Sequence, residues 1–410
     1  MKIKRMHHTQ NVFPALFLCT LLLLPSKSCS IRIPKGSSST ASSLSTTTTT
    51  LQRIKSSSCS TVSIQRTIPT AFSVPSSSSN SESVPAPLKL KNLLESEMNG
   101  TRKDPTPILL PCCYDGLTAR LVARNGFEAT FMTGFGVSGA NGYPDTQLVS
   151  FGEMMNAAMT VAEGLSSAAF EMNRESGVVR SSIPCIADGD TGYGNAVNAK
   201  RTVFGYARSG MAGLMIEDQV APKRCGHVSG KSIISFDDAV QRVKAACDAR
   251  DEYESLYGPG TGPLVLARTD ALLATTTAQN EENDDDGFDE AIRRCLAFVE
   301  VGADMTFLEA PRTKQQMIDY CSIVPKPKLA NMLEYGNTPI TSPAELKQMG
   351  YTMAAYPLTL LSASIKAMQQ SLDLIKRGES TDDMILTFDE TKDIVGFNWY
   401  AKEEDRYKTE

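Results

Sequence analysis

The sequence predicts an α/β fold, a (β/α)8 TIM-type barrel, from two observations. From residue 108 onward eight short apolar runs alternate with helix-like stretches, and almost every run ends in a polar or charged residue. The first run, ILLPCCYD (108–115), ends in Asp115, and ATFMTG (129–134) ends in Thr133-Gly134. The stretch 151–173 that follows is strong in helix formers. IPCIADGD (183–190) delivers Asp188 and Asp190, and GLMIEDQ (213–219) delivers Glu217 and Asp218. A second helical stretch covers 236–254. PLVLARTD (263–270) ends in Arg268, Thr269 and Asp270, followed by the acidic run NEENDDDG (280–287) and a helix over 288–302 that stops at a glycine. MTFLEA (305–310) carries Glu309, PKLANML (327–333) carries Asn331, and TMAAYP (352–357) ends in Tyr356-Pro357.

In such a barrel the strand C-termini form one rim, so these polar groups share a mouth. Each alone reads as a helix cap or turn residue. Together they describe a site for a metal and a carboxylate ligand. The acidic run lacks the alternating ligands and terminal Glu of a calcium loop and reads as a solvated insertion.

Composition narrows the function. The chain has 410 residues and a formal net charge of -5, but no acid precedes Glu82. The body from 83 onward therefore carries the negative excess, which argues against nucleic acid as a partner. Ten cysteines form no CxxC pair, and the histidines are His7, His8 and His227. One histidine in the body argues against a Cys/His zinc site, and the seven cysteines after residue 85, an odd number, read as reduced thiols.

The N-terminus reads as an address. Residues 1–30 join Lys2, Lys4 and Arg5 to an apolar run, Val12–Leu24, in the manner of a signal peptide. Residues 31–87 are Ser/Thr-rich and almost free of acids, like a transit peptide. The pair suggests a plastid presequence of the two-part kind; a mitochondrial address or a secreted protein with a linker are the alternatives. The catalytic barrel is expected over 88–410. No second membrane-length run follows, so no membrane association is expected after processing.

The chemistry of the rim starts at DGDTGYG. Asp188 and Asp190 offer oxygen ligands to Mg²⁺, with Mn²⁺ as a substitute, and Glu217 can join through water. Such a metal holds a 2-oxo or 2-hydroxy carboxylate and stabilises an enolate oxygen. Arg268 can clamp a carboxylate, and Asn331 and Thr338 can hydrogen-bond a second one. KRCGH (223–227) lies in a long glycine-containing connection, Val220–Ser235, of the kind barrels use as lids. Lys223, Arg224 and His227 would favour the Cys225 thiolate, giving a proton donor poised near neutral pH; a redox-sensing thiol is the rival reading.

These motifs together resemble the isocitrate lyase/phosphoenolpyruvate mutase superfamily over roughly 88–405. The matching stretches are TGFG and YPD (133–145), DGDTGYG, IEDQ, KRCGH, ARTDA (267–271) and NMLEYGNTP (331–339). The resemblance implies a barrel with its C-terminal helix exchanged between subunits of a dimer of dimers, Mg²⁺, and an enolate-type intermediate. It implies metal-site roles for Asp188 and Asp190 and a supporting role for Glu217. It implies substrate contacts at Thr133, Gly134, Phe135, Asp145, Arg268, Glu309 and Asn331, and a general acid at Cys225. The cysteine in KRCGH argues against phosphonate-forming chemistry. Thr133-Gly134-Phe135 departs from the Ser-Gly-Gly of bacterial methylisocitrate lyases, and the stretches 331–346 and 354–368 resemble plant, cyanobacterial and petal-death-type members more closely. The expected activity is a Mg²⁺-dependent carbon–carbon lyase on a 2-hydroxy dicarboxylate or related tricarboxylate. The alternatives are an oxaloacetate hydrolase or decarboxylase, and a non-catalytic metabolite-binding or thiol-sensing barrel.

Overall fold

The computed structural model describes residues 84–176, 181–225, 231–274 and 287–409. The presequence readings over 1–83, His227 and nearly all of the acidic run lie outside the described residues.

Eight parallel strands form the barrel: β1 (Ile108–Cys113), β2 (Thr130–Met132), β3 (Cys185–Asp188), β4 (Gly213–Glu217), β5 (Leu264–Thr269), β6 (Met305–Leu308), β7 (Leu329–Asn331) and β8 (Met353–Tyr356). They follow one another around the ring, and β8 pairs with β1 through Ile108 opposite Met353. The ring is nearly closed. Between β6 and β7 the ladder is reduced to one parallel bridge, Thr306 to Lys328. The apolar runs were legible as strands because parallel strands covered on both faces need apolar residues throughout; β3, β4, β5 and β6 are buried at every position.

The helices begin with α1 (Ala86–Met98), before β1. α2 (Gly116–Arg124) follows β1; α3 (Gly134–Ala140) and α4 (Phe151–Ser176) follow β2; α5 (Ala196–Arg208) follows β3. α6 (Phe236–Tyr257), α7 (Phe288–Glu300), α8 (Lys314–Ile323), α9 (Pro343–Met349) and α10 (Thr359–Arg377) follow β4 to β8 in turn. α11 (Phe388–Val395) and α12 (Phe397–Arg406) end the described chain. Local chemistry sets several starts: Asn195, Ser342 and Thr387 each close a reciprocal capping box, leaving fewer helix N–H groups without partners.

Asp115 belongs to this class. Its carboxylate accepts from Thr118 N at 2.7 Å and Thr118 Oγ1 at 2.8 Å, capping α2. The expectation that it serves the rim is therefore corrected: a helix that starts three residues after β1 ends demands an acceptor there.

Inside the ring, Ile108, Leu110, Phe131, Ile186, Met215, Leu266, Met305, Phe307 and Met353 pack into one cluster. Leu90 and Leu94 of α1 join it. A side chain at Gly213, the first residue of β4, would meet Leu90 at 3.3 Å, so α1 plugs the end of the barrel where strands start. Each buried leucine contributes roughly 1.5–3 kcal/mol. With that end filled, the opposite end is the one left to bind. Among the described residues no helix is long and apolar enough to cross a membrane.

Candidate active site

The site is built from strand ends, and its first device is backbone. Asp188 closes β3 with its side chain at the mouth. Two residues later Asp190 adopts φ 48°, a left-handed conformation that Asp tolerates better than most residues. Residues two apart in a strand share a face, and this turn, which ends the strand, keeps Asp190 beside Lys223 on the same side of the mouth as Asp188. Asp188 Oδ1 accepts from Asp190 N at 2.9 Å, and Oδ2 accepts from Gly134 N at 3.1 Å. A Cβ at Gly134 would sit 2.5 Å from Asp188 Oδ2, so only glycine permits this approach. Tyr206 OH donates to Asp188 O at 2.5 Å and fixes the strand end from below.

Lys223 completes this corner. Its Nζ lies 2.6 Å from Asp145 Oδ1 and 2.8 Å from Asp190 Oδ1, and its side chain is 4% exposed. The second contact is a close ion pair without an aligned hydrogen bond. The ammonium expected to favour the Cys225 thiolate is thus committed to two carboxylates. Residues adjacent in sequence need not be partners, and here the buried acids offered the stronger field. Burial alone would depress Lys223, but Asp190, Asp188, Asp145 and Glu217 hold it well above its ordinary value. Burial pushes Asp190 up to about 6; Lys223 opposes this, while Asp188 and Asp145 add to it.

Two glutamines missed by sequence reasoning hold the segment. Gln147 donates to Thr191 Oγ1 at 2.7 Å and accepts from Lys223 N at 3.1 Å, tying three connections together. Gln219 brackets Arg224, donating to its carbonyl and accepting from its amide, both at 2.9 Å. Gln219 lay in the recognised IEDQ stretch; nothing in the sequence marks Gln147.

The β4 and β5 ends carry the remaining charge. Strand alternation sends Glu217 inward and Asp218 outward. Neither carboxylate oxygen of Glu217 has a hydrogen-bond partner, and burial drives its carboxyl well above the ordinary range. Arg268 Nε stands 3.4 Å from Glu217 and 2.8 Å from Asp270. Its guanidinium lies 5.2 Å over the Phe307 ring. Across the mouth, Asn331 Nδ2 is 3.5 Å from both oxygens of Glu309.

A cavity of about 580 Å³ occupies the mouth. Of the residues expected from sequence, Thr133, Phe135, Asp145, Asp188, Lys223, Cys225, Arg268, Glu309 and Asn331 line it. Gly134, Asp190 and Glu217 stand directly behind, each in contact with a lining residue. Thr338 is buried but does not line the cavity, so its expected contact with a second carboxylate is not supported; the chain between β7 and α9 carries it aside. The lining also contains Cys112, Phe131, Met215, Phe307 and Leu329 as a floor, and Leu333, Ala355, Pro357 and Leu358 as a wall.

The donor set suits a hard divalent cation. Asp188, Asp190 and Glu217 present only oxygen, are buried, and include the unsatisfied oxygens of Glu217. Among the described residues no three acidic, Cys or His groups converge as a ready cage. Mg²⁺ needs none, because it binds through one or two carboxylates and keeps several waters.

Comparison with known proteins follows the same lines. The phosphoenolpyruvate phosphomutase family profile matches residues 101–376. A 2,3-dimethylmalate lyase of Eubacterium barkeri is 36% identical over 306 residues, 74% of this chain and 94% of that protein. A 2-methylisocitrate lyase of Aeropyrum pernix is 33% identical, over 72% of this chain and 85% of that protein. The chloroplastic carboxyvinyl-carboxyphosphonate phosphorylmutase of Arabidopsis thaliana is 34% identical, over 73% and 80%. Among solved structures, a 2,3-dimethylmalate lyase superposes with TM-score 0.66 at 31% identity, covering 79% of this chain and 95% of that one. An oxaloacetate acetylhydrolase bound to 3,3-difluorooxalacetate superposes with TM-score 0.65 at 30% identity, covering 78% and 97%.

Proposed function

This chain belongs to the isocitrate lyase/phosphoenolpyruvate mutase superfamily, whose members are enzymes, and from that premise we propose that it cleaves the C2–C3 bond of a 2-alkylmalate. The observation carrying this choice of substrate is the cavity lining. Leu333, Ala355, Pro357, Leu358 and Phe135 offer an apolar wall suited to a C3 alkyl group. The lining cations among the described residues are Lys223 and Arg268, and Lys223 is already held by Asp145 and Asp190. A third substrate carboxylate, as in methylisocitrate, would lack a cation of its own.

Asp188 and Asp190 would hold Mg²⁺, with Glu217 behind them. Bound there, it would supply charge for the C2 oxygen and its carboxylate as the oxyanion develops. Arg268, with Glu309 and Asn331 beside it, would orient the distal carboxylate. Loss of the 2-hydroxyl proton then breaks C2–C3. C2 becomes the carbonyl of a 2-oxo acid, and the electron pair passes to C3 as the enolate of the second acid. Cys225 lines the cavity, and its Sγ would donate the proton that C3 takes up.

The test is a panel of 2,3-dimethylmalate, 2-methylisocitrate and oxaloacetate with Mg²⁺. A 2-oxo acid plus a monoacid from the alkylmalate is expected to dominate. Oxalate plus acetate as the main products would favour the second reading, an oxaloacetate hydrolase, which the likeness to the acetylhydrolase supports. Cys225→Ser should lower turnover by roughly 100-fold or more, in the range of a lost general acid. Full turnover by that variant would remove Cys225 from the mechanism.

Two further readings accompany this one. The strip Ile365, Met368, Leu372 and Ile375 on α10 is exposed along one helix face, which supports assembly with further copies as a dimer of dimers; light scattering measures this. The signal-plus-transit pattern, with a chloroplastic relative, supports a plastid address. A fluorescent fusion of residues 1–87 that stays outside plastids would contradict it.

A further inference from the structure

We infer that Lys231 is a positioning residue for the Arg268 clamp, acting through Asp270; this rests on the lyase reading above. Lys231 Nζ lies 2.7 Å from Asp270 Oδ1, and both side chains have 0% exposure. Asp270 Oδ1 also accepts from Arg268 Nη2 at 3.0 Å, and Oδ2 accepts from Arg268 Nε at 2.8 Å. One carboxylate therefore joins a cation from the 220–235 connection to the cation that lines the cavity.

Three observations make this more than packing. A fully buried ion pair returns little net stability over apolar residues of similar volume, so stability is a weak reason for this lysine. Arg268 has competing acids: Glu217 Oε2 is 3.4 Å from its Nε and Glu309 Oε2 is 3.8 Å from its Nη1. An Asp270 free to rotate would release Arg268 toward those acids and spoil the edge that meets a substrate carboxylate. Both ends of the link are also rigid. Asp270 N and Thr269 Oγ1 donate to Asp218 at 2.9 and 2.7 Å, and Arg294 braces Asp218 at 3.1 Å. Lys231 precedes an antiparallel staple in which Val220 N donates to Ser232 O and Ile234 N to Asp218 O.

The experiment is a double-mutant cycle in the full chain with Mg²⁺, using K231M, K231R, R268K and K231M/R268K. Its readouts are the malonate dissociation constant, kcat, KM and Tm. K231M should weaken malonate and raise KM by about tenfold or more, with a smaller change in kcat, as for other residues that orient a ligand-binding group. K231R should recover to within about threefold, and K231M should add less than about twofold in the R268K background. A K231M protein with lowered Tm but unchanged malonate affinity and KM overturns the inference. So does an undiminished effect in R268K. If K231M does not fold, K231Q carries the same comparison. Malonate binding by a wild type that cleaves none of the hydroxy acids sinks the lyase reading while the cycle still decides Lys231. A wild type that binds no malonate overturns both.

Discussion

Asp190 and Asp270 are both buried aspartates at the barrel mouth, and their surroundings are opposite. Burial penalises the charge of each. At Asp270 that penalty is outweighed by Arg268 and Lys231, which hold the carboxyl well below its usual range. At Asp190 it is not outweighed: Lys223 is shared with Asp145, Asp188 lies alongside, and the carboxyl is pushed up to about 6. The β5 corner carries its cations covalently, whereas the β3–β4 corner has more carboxylate than cation. A site short of positive charge is suited to an ion from solution, and a site with charge matched is suited to holding a shape. Both come from short motifs of similar appearance, DGD and RTD.

The largest effect that would break this contrast is at the deficient corner. Asp188→Asn should reduce Mg²⁺-dependent turnover by about a thousandfold or more, because metal assistance supplies several kcal/mol to the barrier. It should also abolish the rise in Tm on adding Mg²⁺. A variant that keeps its magnesium-dependent Tm shift would mean the cation binds elsewhere.

At the matched corner the expected loss is stability. Asp270→Asn leaves Lys231 and Arg268 buried without their shared carboxylate, which costs about 3–5 kcal/mol when one member of a buried pair is removed. Chemical denaturation measures it. Little loss, with Mg²⁺ affinity reduced instead, would show that Asp270 serves the metal and would dissolve the distinction.

The contrast also marks how far the sequence could be read. Strand positions were legible because a parallel sheet covered on both faces must be largely apolar, and β3 to β6, buried at every position, are apolar except near their C-terminal ends and at Thr306. The rim acids were legible because barrels put strand C-termini together. Partnership was not. Lys223 stands two residues from Cys225, yet its ammonium lies against Asp145 and Asp190, set by tertiary fields that sequence distance does not encode. Lys231 follows a glycine and carries no pattern at all; its meaning is visible only when Asp270 stands 2.7 Å away. Asp115 shows the opposite error, a strand-end acid whose role is local capping. The cavity wall of Leu333 and Leu358 comes from two loops, whose packing no periodicity reveals.

The smallest expected effect is the most direct probe of the comparison. Asp190 has a folded-state value of about 6 against an ordinary 3.8, so the native protein holds its proton more tightly than the unfolded chain does. Its contribution to stability is full below pH 3.8 and is lost as pH rises through about 6. Asp270 has the reverse sign: its depressed value gives stability that is present above the ordinary 3.8 and lost only on stronger acidification. Between pH 5 and 7.5 the metal-free protein should therefore lose stability at the Asp190 corner and show no change at Asp270. Mg²⁺ held there would need the ionised carboxylate, so each pH unit below 6 should weaken its binding about tenfold, or about 1.4 kcal/mol. Thermal melts with and without Mg²⁺ would show a large shift at pH 7.5 that shrinks toward pH 5. A shift of constant size across that window would mean that no proton leaves Asp190 when the cation arrives, and that Lys223 already supplies the charge this corner needs.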